Sequence, residues 1–246
     1  MNLFERIHFL IRAWRYRLDG EKFGISYLLS NDLADKTVVD IGAHRGIYSY
    51  WMHRKVGANG RVVAFEPQTE LAAYLRELRT RFNLKQLEIA ECGLSSQRGE
   101  LTLRRPKDHW GGASYDRFKS GSREVDVIPT QVTTLDVFFA DHQGPPISFI
   151  KCDVEGHEYE VFKGGEGLLT SVRPALLFEC LEKTVPDCRV FSYLQTLGYD
   201  GYCFARRGLA PISEYRAVLP TMHKRAKRDF VFVPQERSRG KVSRAA

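Results

Sequence analysis

The sequence predicts an α/β fold built on an open, doubly wound sheet, and three stretches predict it. Val38-Val39-Asp40-Ile41 is a short apolar run that breaks into Gly42-Ala43-His44-Arg45-Gly46; Arg61 to Phe65 repeats the run and ends in Glu66-Pro67. Ile147-Ser148-Phe149-Ile150-Lys151-Cys152 then delivers Asp153-Val154-Glu155-Gly156-His157-Glu158. Each reads as a buried strand with a polar exit, and segments of helical period lie between them. Sheets of this kind hold ligands beyond the carboxyl ends of their strands.

The length of 246 residues and 43% hydrophobic content suit one α/β domain with a full core. The net charge of +7 is mostly tail: Lys224, Arg225, Lys227, Arg228, Arg237, Arg239, Lys241 and Arg244 face only Asp229 and Glu236. Cys92, Cys152, Cys180, Cys188 and Cys203 are odd in number and form no C-x-x-C pair, which argues against a disulfide framework and a zinc site. A reducing, cytoplasmic compartment is expected.

Taken in order, Leu3, Phe4, Ile7, Leu10, Ile11, Trp14 and Leu18 recur at helical spacing and are flanked by Arg6, Arg12, Arg15 and Arg17. This predicts an amphipathic helical extension over residues 1–35, packing on its own domain, associating with a second copy or resting on a membrane surface. The charges Glu5, Arg6, His8, Arg12 and Arg15 interrupt it too often for a signal peptide or a spanning helix. Residues 36–234 form the main domain. Gly46 opens a helix through Tyr48, Trp51 and Met52, and Leu71, Tyr74, Leu75 and Leu78 mark a second. Leu87 to Ala90 is a third short strand running into Glu91-Cys92-Gly93-Leu94-Ser95, beside which an adenine could be held. Glu100 to Leu103 and Val125 to Val132 are strands, the latter at an edge or bend because of Pro129.

The connection from Pro106 to Val125, with Trp110-Gly111-Gly112-Ala113-Ser114, is expected to cover an active site. Thr134 to Phe139 begins a short helix; Tyr159, Val161, Phe162 and Leu168 mark another; Pro174 to Phe178 is a fifth core strand ending in Glu179. A helix bearing Phe191, Leu194 and Leu197 and the strands Tyr199 to Phe204 and Asp229 to Val233 complete the sheet, the last antiparallel. Residues 235–246 read as a disordered basic tail. Both ends are expected to serve docking and not chemistry.

The turn after Asp40 discriminates between cofactors. It lacks the G-x-G-x-x-G of a nicotinamide or flavin site, and an acid ahead of the turn repels pyrophosphate. A ligand with an ammonium and a sulfonium fits instead, which describes S-adenosylmethionine. Glycine at positions 42 and 46 is expected to leave room for the cofactor, with free N–H groups at the new helix to hold a carboxylate. Glu66 could accept from both ribose hydroxyls. At the third exit, Asp153 could be the general base, His157 could take the proton, or Asp153 with Glu179 could hold a divalent cation; the cation has no third clear oxygen ligand, so no metal site is assigned. Glu158 reads as a favourable charge in a first helical turn.

Val39 to Gly46, Phe65-Glu66-Pro67, Thr134-Leu135-Asp136 and Ile150 to Glu158 together resemble the FkbM family of S-adenosylmethionine-dependent methyltransferases. The similarity runs roughly from Thr37 to Glu179 and leaves out the N-terminal helix and basic tail. It implies a Rossmann-like seven-stranded methyltransferase sheet and methyl transfer to a hydroxyl of a sugar, glycan or small metabolite. The site is then expected to use Asp153, His157 and Lys151 in catalysis, and Asp40, Gly42, Ala43, His44, Gly46, Glu66, Pro67, Cys92, Gly93 and Asp153 for the cofactor. Two rival classes are a nucleic-acid methyltransferase and a non-catalytic binding protein on the same fold. The first lacks an Asn- or Asp-Pro-Pro-aromatic sequence to hold a flipped base, and tail charge alone gives weak, salt-sensitive binding.

Overall fold

From its N-terminal end the chain forms helix α1 (Leu3–Arg15), a π-helical turn over Tyr16–Gly20 and helix α2 (Lys22–Ser30) before any strand begins. Asn2 caps α1 by accepting from the Glu5 N–H at 2.9 Å, and the Glu5 carboxylate accepts from the Asn2 N–H at 2.6 Å. The computed structural model describes residues 2–107, 111–116, 124–180, 185, 188–206 and 208–242, without the side chains of residues 225 and 239–242.

The first half of the sheet is β1 (Thr37–Ile41), α3 (Ile47–Val56), β2 (Arg61–Phe65), α4 (Thr69–Arg81) and β3 (Leu87–Ala90). Then come β4 (Gly93–Leu94), β5 (Gly99–Pro106), β6 (Val125–Thr133), the short helix α5 (Leu135–Phe138) and β7 (Ile147–Cys152). Helices α6 (Glu158–Lys163) and α7 (Glu166–Ser171) lead to β8 (Ala175–Glu179) and α8 (Arg189–Thr196). The chain closes with β9 (Tyr199–Ala205), β10 (Gly208–Pro211), α9 (Tyr215–Val218), β11 (Asp229–Pro234) and α10 (Gln235–Val242).

The main sheet has the order β10-β9-β11-β8-β7-β1-β2-β3. Strands β3, β2, β1, β7 and β8 are parallel, and β11, as expected, runs antiparallel to β8 and β9. Seven of these strands are the predicted ones; β10 adds an eighth as an antiparallel edge on β9. Its four residues include Gly208 and Pro211, and such a short run gives no strand signal. The central strand β1 is buried along its whole length, as both-face burial of a parallel strand requires. Its residues alternate between two cores: Val39 and Ile41 join Phe65, Ile150, Phe162 and Phe178, whereas Val38 joins Phe149, Trp51 and the buried residues of α1 and α2.

β5 and β6 pair as a second sheet with β4. Pro129 lies opposite Thr102, in a stretch of β6 that β4 does not reach, so its missing N–H costs no ladder bond. The extension is packed and not trailing. Phe9 and Ala13 are fully buried, Phe9 sits 5.5 Å from Tyr50 and 5.1 Å from Phe82, and Trp51 Nε1 donates to the Ala13 carbonyl at 3.3 Å.

The tail needs a correction. Composition predicts disorder after Pro234, yet residues 235–242 form α10, anchored by polar contacts that composition does not register. Arg173 forks onto Glu236 at 3.0 and 2.8 Å and onto the Leu197 and Gly198 carbonyls, and Ser238 Oγ donates to Asp200. All five cysteines are free thiols.

Candidate active site

β1 lies between β2 and β7, so the order of the parallel strands reverses there and their carboxyl ends open a crevice. Gly42 has φ +75°, and a Cβ on it would stand 2.0 Å from the Asp153 carbonyl oxygen. At Gly46, φ +72°, a Cβ would meet Leu75 and Leu78 at 2.7 and 2.8 Å. Both glycines are therefore required by the chain's own packing, and for Gly46 this corrects the expectation that it makes room for a cofactor. Gly46 faces α4 and does not line the crevice.

The turn's N–H groups are also largely committed. Gly42 and Ala43 both donate to the Phe65 carbonyl at 3.0 Å, and His44 donates to Glu66 Oε2 at 2.8 Å. Glu66 Oε1 accepts from Gln68 N at 3.0 Å. This cradle fixes Glu66 in the wall of the crevice. Burial pushes its carboxyl up to about 7, against the pull of the Gln68 and His44 N–H groups. His44 has φ +50°, its Nε2 is buried without a partner, and burial with Arg45 nearby drives its ring down to about 4, so it is neutral at pH 7.

Asp40 is completely buried. Ser49 Oγ donates to its Oδ2 at 2.5 Å, while Oδ1 has no hydrogen-bond partner. Burial raises its carboxyl, and Lys151 opposes that rise. Lys151 Nζ lies 3.2 Å from Asp153 Oδ2 and 5.0 Å from the centre of the Tyr48 ring. Burial pulls its pKa down; Asp153, Asp40 and Glu21 outweigh that and raise it. Lys151, expected in catalysis, is thus placed as the ion-pair partner of Asp153.

The loop after β7 explains its own residue pattern. Glu155 and Gly156 have φ of +55° and +104°. Glu158 Oε1 folds back to accept from Val154 N at 3.2 Å and Gly156 N at 3.1 Å. Its burial pushes that carboxyl up to about 8. His157 turns away from the crevice: Nε2 pairs with Ser95 Oγ at 3.0 Å, Nδ1 with Asp116 Oδ2 at 2.6 Å, and Tyr115 packs on the ring at 5.0 Å. The expected base His157 is thus a clamp on the segment at residues 111–116. Ser114 Oγ adds a bond to the Glu155 carbonyl at 2.8 Å.

The crevice is a cavity of about 270 Å³. Gly42, His44, Glu66, Pro67, Cys92, Gly93 and Asp153 line it, so most of the predicted cofactor residues come together. A recess of about 90 Å³ shares His44 and Asp153 with it and adds Asp40, Ala43 and Lys151. Gly111, Gly112 and Ala113 close one side as the expected cover; Trp110 lies outside the described residues. Glu179, at the end of β8, is pushed up to about 7 by burial and by Asp153 and Glu155. Among the described residues, no group of three or more His, Cys, Asp or Glu side chains is arranged to hold a metal ion.

Several lining residues escape sequence reasoning, Gln68 and Tyr115 among them. Tyr16 and Glu21 come from the N-terminal extension and line both hollows, and Tyr48 Oη donates to Glu21 Oε2 at 3.1 Å. The extension therefore reaches the site, a correction to its reading as a docking element alone. Gly20, where the helical period breaks, is the one signal that the chain turns there.

These walls fit S-adenosylmethionine. The unpartnered Asp40 Oδ1, with Asp153 and Glu21, suits a cationic group, Glu66 suits ribose hydroxyls, and Ile41, Phe65, Leu94 and Leu103 offer apolar surface to a flat base. The site is a carboxylate-lined cavity at the strand exits of an open α/β sheet. A model of the FkbM methyltransferase domain matches residues 40–200, and the chain belongs to that family of S-adenosylmethionine-dependent methyltransferases.

Among its relatives, hexuronic acid methyltransferase AglP of Haloferax volcanii is 29% identical over 160 residues, which cover 65% of this chain and 62% of AglP. Methyltransferase sdnD of Sordaria araneosa is 29% identical over 203 residues, 71% of this chain and 77% of sdnD. The crystal structure of an FkbM methyltransferase from Methylobacillus flagellatus is 17% identical with a TM-score of 0.46, covering 82% of this chain and 45% of that one.

Proposed function

We propose that the protein methylates a hydroxyl of a sugar, glycan or small metabolite. The observation that carries this reading is the convergence of Asp40, Glu66 and Asp153 on one cavity and its recess at the exits of β1, β2 and β7. S-adenosylmethionine supplies an electrophilic methyl group when bound. Glu66 would hold the ribose, Asp40 and Glu21 the ammonium, and the surface from Cys92 to Leu94 the adenine. Lys151 fixes Asp153 at the cavity wall, where its carboxylate would accept the acceptor hydroxyl's proton. Residues 111–116 would exclude water from one side. AglP acts on a hexuronic acid, which supports a sugar acceptor here.

Titration calorimetry with S-adenosylmethionine, followed by transfer of a labelled methyl group to a panel of hexuronic acids, neutral glycosides and hydroxylated small molecules, tests the reading. Saturable cofactor binding and a labelled ether product are expected. Cofactor binding without a product on any hydroxyl would refute the O-methyl assignment.

A further inference from the structure

Six of the ten large apolar side chains left exposed among the described residues stand on one short stretch. They are Leu3 (70% exposed), Phe4 (77%), Ile7 (48%), Ile11 (62%), Trp14 (47%) and Leu18 (66%). The other four, Val127, Val137, Val172 and Leu209, are scattered singly, as on any protein surface. The spacing of the six places them in one row along α1 and the turn that follows it. The opposite face of α1 is already used, because Phe9 and Ala13 are buried against the domain. Of the row, Trp14 shares in this packing, its ring edge-on to Trp51 at 5.2 Å and still half exposed.

Cations border that row. At the helical repeat, Arg15 falls beside one edge and Arg6 and Arg17 beside the other, Arg12 turns to the domain and donates to the Tyr74 hydroxyl at 3.4 Å, and Glu5 and Asp19 are the acids of the stretch. Arg17 stacks on Trp14 at 4.9 Å and on Trp51 at 4.6 Å, and Arg6 lies 5.5 Å from the Phe82 ring. These contacts lay the guanidinium heads of Arg6 and Arg17 over aromatic rings beside the row.

We propose that this face docks on a lipid bilayer bearing anionic headgroups, with the axis of α1 in the plane of the surface. The apolar row would enter the acyl boundary and the bordering arginines would meet the headgroups. No helix among the described residues is long and apolar enough to cross a membrane, so the mode is lying on and not spanning. Pairing with a second copy is the poorer occupant, because a two-fold contact sets the same arginines against each other. Tyr16 and Glu21 belong to the same extension and line the cavity, so the docking face and the cavity share one element.

Flotation of the full chain with vesicles tests this, using phosphatidylcholine alone and phosphatidylcholine mixed with phosphatidylglycerol. The protein should float with the mixed vesicles, stay behind with the neutral ones and be released by high salt. The double variant Phe4→Glu, Ile11→Glu should lower the bound fraction about tenfold at an unchanged melting temperature, since both side chains are exposed. If the pair disturbs folding, Arg15→Glu, also on an exposed residue, should lower binding to the mixed vesicles by itself. No flotation with the mixed vesicles, or variants that float like the unchanged protein, would overturn the proposal. So would light scattering that shows a dimer split by Phe4→Glu, Ile11→Glu and no vesicle binding, which assigns the face to a second copy.

Discussion

Lys151 and Asp153 form an ion pair of 3.2 Å whose two ends differ in burial: the lysine side chain is 8% exposed and the aspartate's is 36%. The cation is fixed in the sheet and the carboxylate is presented at the cavity. Asp153→Asn keeps the shape and removes the base, so turnover should fall by about 10²–10⁴-fold. Glu179→Gln is the discriminating variant, because that carboxyl, at about 7, is matched to proton transfer near neutrality. Single-turnover methyl transfer decides between them. A collapse in Glu179→Gln with activity retained in Asp153→Asn would move the base to β8.

His157 is held from both ring nitrogens, by Ser95 at 3.0 Å and by Asp116 at 2.6 Å. Substitution by Phe conserves the ring against Tyr115 and deletes both bonds. A hydrogen bond to a charged partner contributes about 1.5–3 kcal/mol, so chemical denaturation should show a loss of that order. The loosened cover should raise the acceptor KM while kcat stays within about tenfold, since no interaction made in the transition state is removed. A thousandfold fall in kcat at unchanged stability would return His157 to the chemistry.

The strands of the parallel sheet are legible because burial on both faces turns each into an unbroken apolar run, and their polar exits stand out for the same reason. Asp40, Glu66 and Asp153 are visible as acids where a core strand ends. What the residues do there is less legible. Gly42 and Gly46 are necessary, but for contacts with Asp153 and with Leu75 and Leu78, which lie far off in the chain. Tyr16 and Glu21 reach the cavity only because Phe9 and Ala13 seat the extension on α3 and α4, a tertiary event without a local motif. Helix α10 is held by Arg173 and Asp200, partners that its own composition does not reveal.

Glu158 makes stability depend on pH. Its carboxyl rises from 4.5 to about 8 on folding because it is buried, so between those values the native chain binds more protons than the unfolded one. Stability is then greatest below that window and declines as pH rises through it. Glu158→Gln preserves an oxygen acceptor for the Val154 and Gly156 N–H groups and abolishes the titration. Melting temperatures measured across the window should fall less steeply in the variant. The decline will not vanish, because Glu66 and Glu179 are raised in the same sense, each to about 7. An unaltered slope would show that Glu158 does not hold its proton in the native state.

Glu66 couples the same physics to ligand binding. Its oxygens accept from His44 N at 2.8 Å and Gln68 N at 3.0 Å, and the residue is 2% exposed, so Ala would strip two backbone donors of their partner. That variant would damage the cradle and the ligand contact together. Glu66→Gln is the better probe, although its NH₂ must then face one of those N–H groups, at a cost to stability of about 1–3 kcal/mol. Loss of a charge-assisted bond to a ribose hydroxyl should weaken S-adenosylmethionine by a further 1.5–3 kcal/mol or so, about ten- to a hundredfold in Kd. The proton provides a second readout. Burial holds the carboxyl at about 7, and a cationic cofactor favours its ionised form, so affinity should rise as pH increases through 7, with a proton released on binding below it. Calorimetry in buffers of different ionisation enthalpy measures that release directly. Glu66→Gln should bind more weakly and without it; a proton release that survives the substitution would locate the titrating group elsewhere in the cavity.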